Sequence, residues 1–292
     1  MQFSRFGRSA FRFLSVALGL AWGAGAATAE PAMWVVKDGD STVYLLGTIH
    51  VMKPGVDWRS EKLDAALKSS SELWLETNDD PAVVQTYAMN FGTDSQKPLA
   101  SSVGAANFEK FVELAKRYDI PTRDLHQLRP WLASIVLTGA QMDSIGYDPE
   151  LGVDQTLQNE AVAAGKTIKQ FETASQQLGY LAELPDKVAA EMLVQTMNEV
   201  GEGEKIIDEL QAAWLAGDVK QLDQISLDRA RHEAPEFFDA LILQRNNNWV
   251  NQIEDMMQGS GTQFIAVGAG HLVGKGSLPD QLAQRGYKVQ RY

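Results

Sequence analysis

The apolar residues of this chain form short runs that predict β-strands, separated by longer stretches with helical periodicity. Near the start, the runs over residues 33–37 and 42–46 flank Asp38-Gly-Asp40, and Asp-Gly between two such runs predicts a β-hairpin. The same pattern predicts further strands over residues 72–76, 167–171, 263–267 and 287–289.

Helices are predicted between these strands. Ser60 stands at the start of residues 60–70, where the apolar positions share one face, and Pro130 begins an apolar helix that runs to residue 142. Helical patterns also cover 153–164 and most of 173–257. Together these elements predict an α/β (α+β-like) fold: a mixed central sheet with a largely helical middle region, about residues 80 to 260, packed over it.

Two predicted strands lead into the same short motif. Gly47-Thr-Ile-His50 follows the strand over residues 42–46, and Gly268-Ala-Gly-His271 follows the strand over residues 263–267. Because glycine permits positive φ angles and close approach of the backbone, we expect Gly47, Gly268 and Gly270 to form structural turns. Each turn would direct a histidine from the end of a strand into a cleft.

The first 29 residues have the pattern of a signal peptide. Arg5, Arg8 and Arg12 precede an apolar stretch, and Ala27-Thr28-Ala29 fits the cleavage site. We therefore expect one mature domain over residues 30–292, periplasmic or secreted. No later run approaches the roughly 18 apolar residues of a spanning helix, so no stable membrane anchor is expected.

The charge of the chain narrows the class of partners. Removing the three arginines of the signal peptide takes the formal net charge from −12 to −15. An acidic surface argues against a nucleic-acid partner, but it leaves a peptide or small protein substrate open. The chain has no cysteine, so disulfides are excluded.

Glu76 ends the predicted strand over residues 72–76, as the two motif histidines follow theirs. Two imidazoles and one carboxylate are typical ligands of a hydrolytic metal site, so we expect His50, Glu76 and His271 to share a divalent ion, with manganese, cobalt or zinc the candidates. A metal-free site that activates water by general-base catalysis uses the same residues. Taken singly, each histidine could be structural and Glu76 could be a helix cap.

The two Gly-x-x-His motifs and Leu73-Trp-Leu-Glu76 resemble those of the TraB/PrgY/GumN family, to which the Tiki proteases are related. The resemblance covers residues from about 34 to the C-terminus, a TraB/GumN-like domain. It also includes the stretches Arg129-Pro-Trp131, Gly152-Val-Asp154, Phe171-Glu172-Thr173 and Arg245-Asn246. The Tiki branch implies a metal-dependent peptidase with His50, Glu76 and His271 as catalytic residues. The pheromone-shutdown branch implies instead a non-catalytic protein that binds or sequesters a peptide.

Four charged residues form a possible second shell around these three. Arg129, Asp154, Glu172 and Arg245 each lie at the start or end of a predicted element, next to an apolar run. As a set they could orient the histidines, since ligating imidazoles usually donate their other N–H to a carboxylate or carbonyl. For any one of them, a structural salt bridge is the alternative.

We predict that the exported protein begins at Glu30 and fractionates with soluble periplasmic proteins. The reason is the cleavage pattern Ala27-Thr28-Ala29. Mass spectrometry of the exported protein measures its N-terminus. An intact Met1, or recovery with the membranes, would contradict the prediction.

Overall fold

The computed structural model describes residues 29–77, 81–200 and 203–292. Nearly all of the predicted signal peptide, residues 1–28, lies outside the described residues. The described residues form six strands: β1 (Met33–Lys37), β2 (Ser41–Thr48), β3 (Glu72–Leu75), β4 (Thr167–Gln170), β5 (Gly261–Gly268) and β6 (Val289–Arg291).

These strands form one mixed sheet in the order β4-β3-β5-β2-β1-β6. The four neighbours β4, β3, β5 and β2 are parallel to one another, whereas β1 is antiparallel to both β2 and β6. The predicted hairpin is β1–β2, with Trp34 opposite Leu45. The predicted α/β architecture with a mixed central sheet is therefore confirmed.

The parallel register brings four strand ends to the same edge of the sheet. Thr48 of β2 pairs with Gly268 of β5, and Leu75 of β3 lies between Ala266 of β5 and Gln170 of β4. Residues that directly follow these strands must therefore emerge side by side, outside the carboxyl ends where open α/β sheets form their crevices.

The central strands are apolar because they are covered on both faces. Val43, Leu45 and Leu46 of β2 and Phe264 and Ile265 of β5 are fully buried. This double cover explains why their sequences read as continuous apolar runs rather than as alternating ones.

Fourteen α-helices lie in the described residues: α1 (Glu61–Ser69), α2 (Pro81–Phe91), α3 (Leu99–Val103), α4 (Ala105–Arg117), α5 (Pro130–Ser144), α6 (Val153–Ala163), α7 (Ala174–Ala182), α8 (Asp186–Glu199), α9 (Gly203–Leu215), α10 (Val219–Ser226), α11 (Asp228–Glu233), α12 (Pro235–Phe238), α13 (Gln244–Gln258) and α14 (Leu278–Gln284). A π-helical turn, Asp239–Leu243, leads directly into α13. Leu99, Phe111, Leu137 and Leu193 give α3, α4, α5 and α8 a core of their own.

The caps of the helices follow the sequence signals. Ser60 accepts from the backbone N–H of Leu63 at the start of α1, and Ser277 accepts from that of Asp280 at the start of α14. Thr173 forms a capping box with Gln176 at the start of α7. These local hydrogen bonds fix where the chain leaves the sheet edge and enters its helices.

The last strand begins two residues later than predicted. Gly286 takes a left-handed backbone with φ +93°, and the backbone N–H of Tyr287 donates to the carbonyl of Leu282 at 3.1 Å. Because this amide closes the end of α14, strand pairing starts at Val289 rather than at Tyr287.

Across the described ranges, no helix combines the length and the apolar character that crossing a membrane requires.

Candidate functional site

His50, Glu76 and His271 meet at the carboxyl edge of the sheet. His50 follows β2, Glu76 follows β3 directly, and His271 lies in a 3₁₀ turn after β5. A Cβ atom placed on Gly268 would lie 3.0 Å from Glu76 Oε1, 3.2 Å from His50 Nε2 and 3.7 Å from His271 Cδ2. The structure therefore brings all three side chains around the backbone of Gly268.

Glu76 is buried and has both carboxylate oxygens hydrogen-bonded. Oε1 accepts from the backbone N–H of Gly268 at 2.6 Å, and Oε2 accepts from Arg245 Nη2 at 2.5 Å and from Gln177 Nε2 at 3.1 Å. Burial alone raises the pKa of Glu76, but the positive charges of Arg245 and His50 and the hydrogen bond from the Gly268 N–H favour the carboxylate and lower the pKa below its usual value. Glu76 is thus a fixed negative charge at neutral pH.

His271 is buried, and its hydrogen bonds define which nitrogen carries the proton. Asn246 donates its amide to the carbonyl of Gly276 at 2.9 Å, so its Oδ1 is free to accept from His271 Nδ1 at 2.7 Å. The other nitrogen, Nε2, then has a lone pair, which accepts from Arg245 Nη1 at 3.0 Å. Burial lowers the pKa of His271 to about 3. The positive charges of Arg245 and His50 act in the same direction, and the negative charge of Glu76 opposes them. The ring is therefore neutral.

The ring of Trp249 packs against both His271 and Arg245. Its ring centroid lies 4.4 Å from that of His271, and the guanidinium carbon of Arg245 lies 4.6 Å from the same ring. Phe171 stacks on Trp249 at 5.2 Å. The apolar pattern around Trp249 in the sequence carries no signal for its contact with the site.

His50 differs from His271 in being exposed. Its Nδ1 pairs with Asp154 Oδ1 at 3.1 Å, and 60% of its side chain is open to solvent. Burial would lower its pKa, but for such an exposed ring the hydrogen bond and charge of Asp154, together with the charge of Glu76, raise the pKa of His50 to about 9. At neutral pH this ring is therefore positively charged, and its Nε2 lies next to Gly268, as does Oε1 of Glu76.

Arg245 joins the site to Glu172. Nε and Nη2 donate to Glu172 Oε1 at 2.9 Å and 2.5 Å, while Nη1 and Nη2 reach His271 and Glu76. Glu172 follows β4, so this contact ties a fourth strand end to the other three. Burial raises the pKa of Glu172, and Arg245 offsets part of that effect. Two buried carboxylates therefore share one guanidinium.

Of the four residues predicted as a second shell, three contact the site and one does not. Asp154 holds His50, and Glu172 and Arg245 form the buried ion pair. Arg129 instead donates to the carbonyl of Phe91 at 3.2 Å, at the N-terminus of α5. Its position next to Pro130 explains this, because it connects the end of α2 with the start of α5. No role was predicted for Gln177, and Asn246 entered the prediction only as part of the stretch Arg245-Asn246.

Two of the three turn glycines are required for space, and none of the three has an unusual backbone angle. Gly268 has φ −47°, and neither Gly47 nor Gly270 has a positive φ, so the expected left-handed turns are wrong. The close approach is present at two positions. A Cβ on Gly47 would lie 3.0 Å from Cα of Ala269, and one on Gly268 would meet Glu76 and His50. A Cβ on Gly270 would make only an ordinary contact, 3.5 Å from Leu227.

The residues do not fit a metal ion in the arrangement seen here. Among the residues that the structure describes, no group of three or more histidine, cysteine, aspartate or glutamate side chains is placed to hold one. The physical reason is Arg245, which donates to the oxygen of Glu76 and to the nitrogen of His271 that a metal would need. Its permanent positive charge also repels a second cation. The ligand assignment stays a prediction.

Comparison with known proteins agrees with the resemblance read from the two motifs. A model of the TraB/PrgY/gumN family matches residues 32–291. The chain belongs to this family. It is also similar to YbaP of Escherichia coli K12 and to YbaP of Shigella flexneri, each named as an uncharacterized protein. Identity is 26% over 253 residues in both cases, which covers 86% of this chain and 92% of each relative. No solved structure matches the chain.

We predict that Gly268→Ala destabilises the protein by about 1–3 kcal/mol, whereas Gly270→Ala changes its stability by less than about 0.5 kcal/mol. The new methyl at residue 268 would be forced against Glu76 and His50, but the one at residue 270 has room. Urea unfolding of both variants measures the difference. Equal stability of the two would show that the space at Gly268 does not matter.

The pair of His50 and Asp154 predicts a pH-dependent stability. A histidine with a raised pKa stabilises the fold fully below its unfolded value near 6.5, and the effect is lost as the pH rises toward 9. Asp154→Asn should therefore cost up to about 1 kcal/mol at pH 6 and clearly less at pH 10, because the pair is partly exposed. Urea unfolding at both pH values tests this, and a cost that is independent of pH would refute it.

Proposed function

We propose that this chain is an exported hydrolase that cleaves a peptide or small protein at the edge carrying His50, Glu76 and His271. The observation that carries the proposal is the arrangement of His50: an exposed imidazole, held at Nδ1 by a carboxylate, whose Nε2 lies next to Gly268 together with the buried carboxylate of Glu76. An imidazole oriented in this way is suited to move a proton between water and a substrate.

The charges of the site support two roles for His50. As a cation at neutral pH it can stabilise the negative oxygen that forms when water attacks a peptide carbonyl, or donate a proton to the leaving amine. To accept a proton from water it must first lose its own, which its pKa of about 9 favours only at alkaline pH. Glu76 keeps its charge across this range and holds the backbone of Gly268 in place.

An apolar surface on the next helix after Glu76 supports a peptide substrate. Helix α2 begins shortly after Glu76, carries no charged residue, and leaves Val83, Met89 and Phe91 exposed by 40%, 67% and 50%. A groove of about 340 Å³ runs between this helix and Ser175 of α7. Gln177, on the same helix as Ser175, donates to Glu76. An extended peptide segment with apolar side chains would find a groove on the helix that follows Glu76, and α7 lines that groove and also contacts Glu76.

A divalent ion at this site is a separate part of the proposal, and manganese, cobalt and zinc are the candidates. Imidazole and carboxylate are ligands that these metals accept. In support, Asp154 and Asn246 hold the Nδ1 atoms of His50 and His271, as the outer partners of ligating histidines usually do. The proton transfers proposed for His50 do not require the ion.

The second candidate is a non-catalytic periplasmic protein that binds or sequesters a peptide. One observation favours it: Glu76 and His271 are buried and their hydrogen-bonding atoms are already occupied by Gly268, Arg245, Gln177 and Asn246. Of His50, Glu76 and His271, this network leaves His50 as the exposed side chain.

We predict that the mature protein cleaves members of an unstructured peptide library, and that His50→Asn and Glu76→Gln each reduce the rate at least a hundredfold. General acid–base groups contribute about that much. Mass spectrometry of the library after incubation, with and without added manganese, cobalt or zinc, detects the products. His126→Asn, which alters another exposed histidine, is the control and should keep full activity.

The same variants separate the two candidates. Cleavage that is equal in wild type and Glu76→Gln would contradict the hydrolase. If no peptide is cleaved under any condition, but peptides bind equally well to wild type and to Glu76→Gln, the binding protein is the better description.

A further inference from the structure

We infer that a second cavity, away from the edge that carries His50, binds an organic cation: the ammonium or guanidinium group of a small amine or of a lysine or arginine side chain. This α13 cavity has a volume of about 340 Å³ and lies between the sheet and the C-terminal half of α13. The sheet contributes Glu72, Trp74 and Gln263 to its lining, and α13 contributes Gln252, Asp255 and Met256.

The register of the sheet brings the three strand residues together. Glu72 of β3 is the register partner of Gln263 of β5. Trp74 lies two residues beyond Glu72, so its side chain projects from the same face of the strand. The indole N–H of Trp74 donates to Oε2 of Glu72 at 2.9 Å. The cavity therefore has a carboxylate and an aromatic ring side by side, and both attract a positively charged group.

The charge of the α13 cavity is negative. Its charged lining residues are Glu72 and Asp255, and no lysine, arginine or histidine from the described part of the chain lines it. Asp255 is exposed and has no ion-pair partner among the described residues. Helix α13 ends beside the cavity without a basic residue in its last turn, so the negative end of its dipole adds to the two carboxylates. These charges favour a cation and disfavour an anion.

Gln263 supplies a third acceptor. Its side chain is only 8% exposed and lines the cavity, and its Oε1 accepts no hydrogen bond within the described residues. Buried polar atoms in proteins usually have a partner, so a ligand with N–H groups would complete this wall. An ammonium carries three N–H donors and a guanidinium five, which suits the acceptors of Glu72, Asp255 and Gln263.

The lining favours an organic cation over a metal ion. Among the residues that the structure describes, no group of three or more histidine, cysteine, aspartate or glutamate side chains is placed to hold a metal. The ring of Trp74 is already close to one ammonium, since Lys169 Nζ lies 6.0 Å from its centroid. Lys169 forms no ion pair with Glu72 or Asp255, so both carboxylates are left for a ligand.

The α13 cavity is separate from the candidate site. Glu72 precedes Glu76 by four residues of extended chain, which corresponds to about 13 Å. The inference therefore goes beyond the proposed function and rests neither on peptide hydrolysis nor on a divalent ion. Its test measures binding alone and needs no turnover of a substrate.

The test titrates the mature protein with four defined probes. Three are cations: putrescine, and lysine and arginine as their Nα-acetyl methylamides. The fourth, norleucine in the same form, has an apolar side chain without the ammonium. The indole N–H resonance of Trp74, assigned with the variant Trp74→Phe, reports binding in NMR spectra. We expect cationic probes to shift this resonance in a saturable manner at millimolar concentration, and norleucine to leave it unchanged.

Two substitutions that remove charge but keep shape locate the binding. Asp255→Asn and Glu72→Gln should each weaken the cationic probes severalfold, and together about tenfold, because each removes one ion-pair partner. Glu109→Gln is the matched control, since it removes the charge of an exposed glutamate in α4, outside the cavity. It should bind like wild type. A loss in Glu109→Gln equal to that in Asp255→Asn would show only general attraction to an acidic protein and would overturn the inference.

The probes also separate the two sources of the cation. Tighter binding of putrescine points to a free amine, whereas tighter binding of the lysine or arginine derivative points to a side chain of a peptide or protein. Failure of all three cations to bind, or equal binding of norleucine, would overturn the inference. Circular dichroism checks the fold of each variant; Asp255 is exposed, so Asp255→Asn decides even if Glu72→Gln does not fold. Peptide cleavage is decided by its own assay in every case.

Discussion

The buried guanidinium of Arg245 is the contact on which the site depends. It donates to Glu76, Glu172 and His271 and lies over the ring of Trp249, so it links residues from α13 with the ends of β3, β4 and β5. Two carboxylates could not be buried at one edge without such a partner, because an unpaired buried charge is strongly destabilising. The same contact occupies the atoms that a metal would use.

The two Gly-x-x-His motifs end in histidines with opposite protonation. His50 keeps a carboxylate partner, Asp154, and contact with solvent, so its pKa is raised and it is charged. His271 is enclosed between Trp249, Asn246 and Arg245, so its pKa is lowered and it is neutral. Similar local sequences thus present one cationic ring to solvent and one neutral ring to the interior. Such a difference in environment suits a site in which one group transfers protons and another keeps the same protonation state.

Part of the candidate site follows from the parallel sheet. β2, β3, β4 and β5 are parallel neighbours, so the residues that follow them, including His50, Glu76, Glu172 and His271, must emerge at a common edge. Strand patterns placed each of these residues at a strand end, and the apolar runs indicated buried strands. Sequence reasoning could also find Asp154 and Arg245 as charged residues beside apolar runs. The same pattern assigned Arg129 to the site, but Arg129 contacts Phe91 instead. The pattern shows where a residue lies in its own helix or strand, and it does not show which elements pack around that residue.

The sequence by itself determined the approximate positions of the strands, the cap at Ser60 and the strand ends that carry the histidines, since hydrogen bonds to nearby backbone and apolar periodicity are local properties. Only the tertiary structure decided the rest. The order β4-β3-β5-β2-β1-β6 places β5 between β3 and β2, so that Gly268 lies among Glu76, His50 and His271 and needs space rather than a positive φ. The partners of each ring, Asp154 from 104 residues away and Asn246 from 25, set the two protonation states. Burial and charge depend on neighbours that are distant in sequence, and no local pattern encodes them.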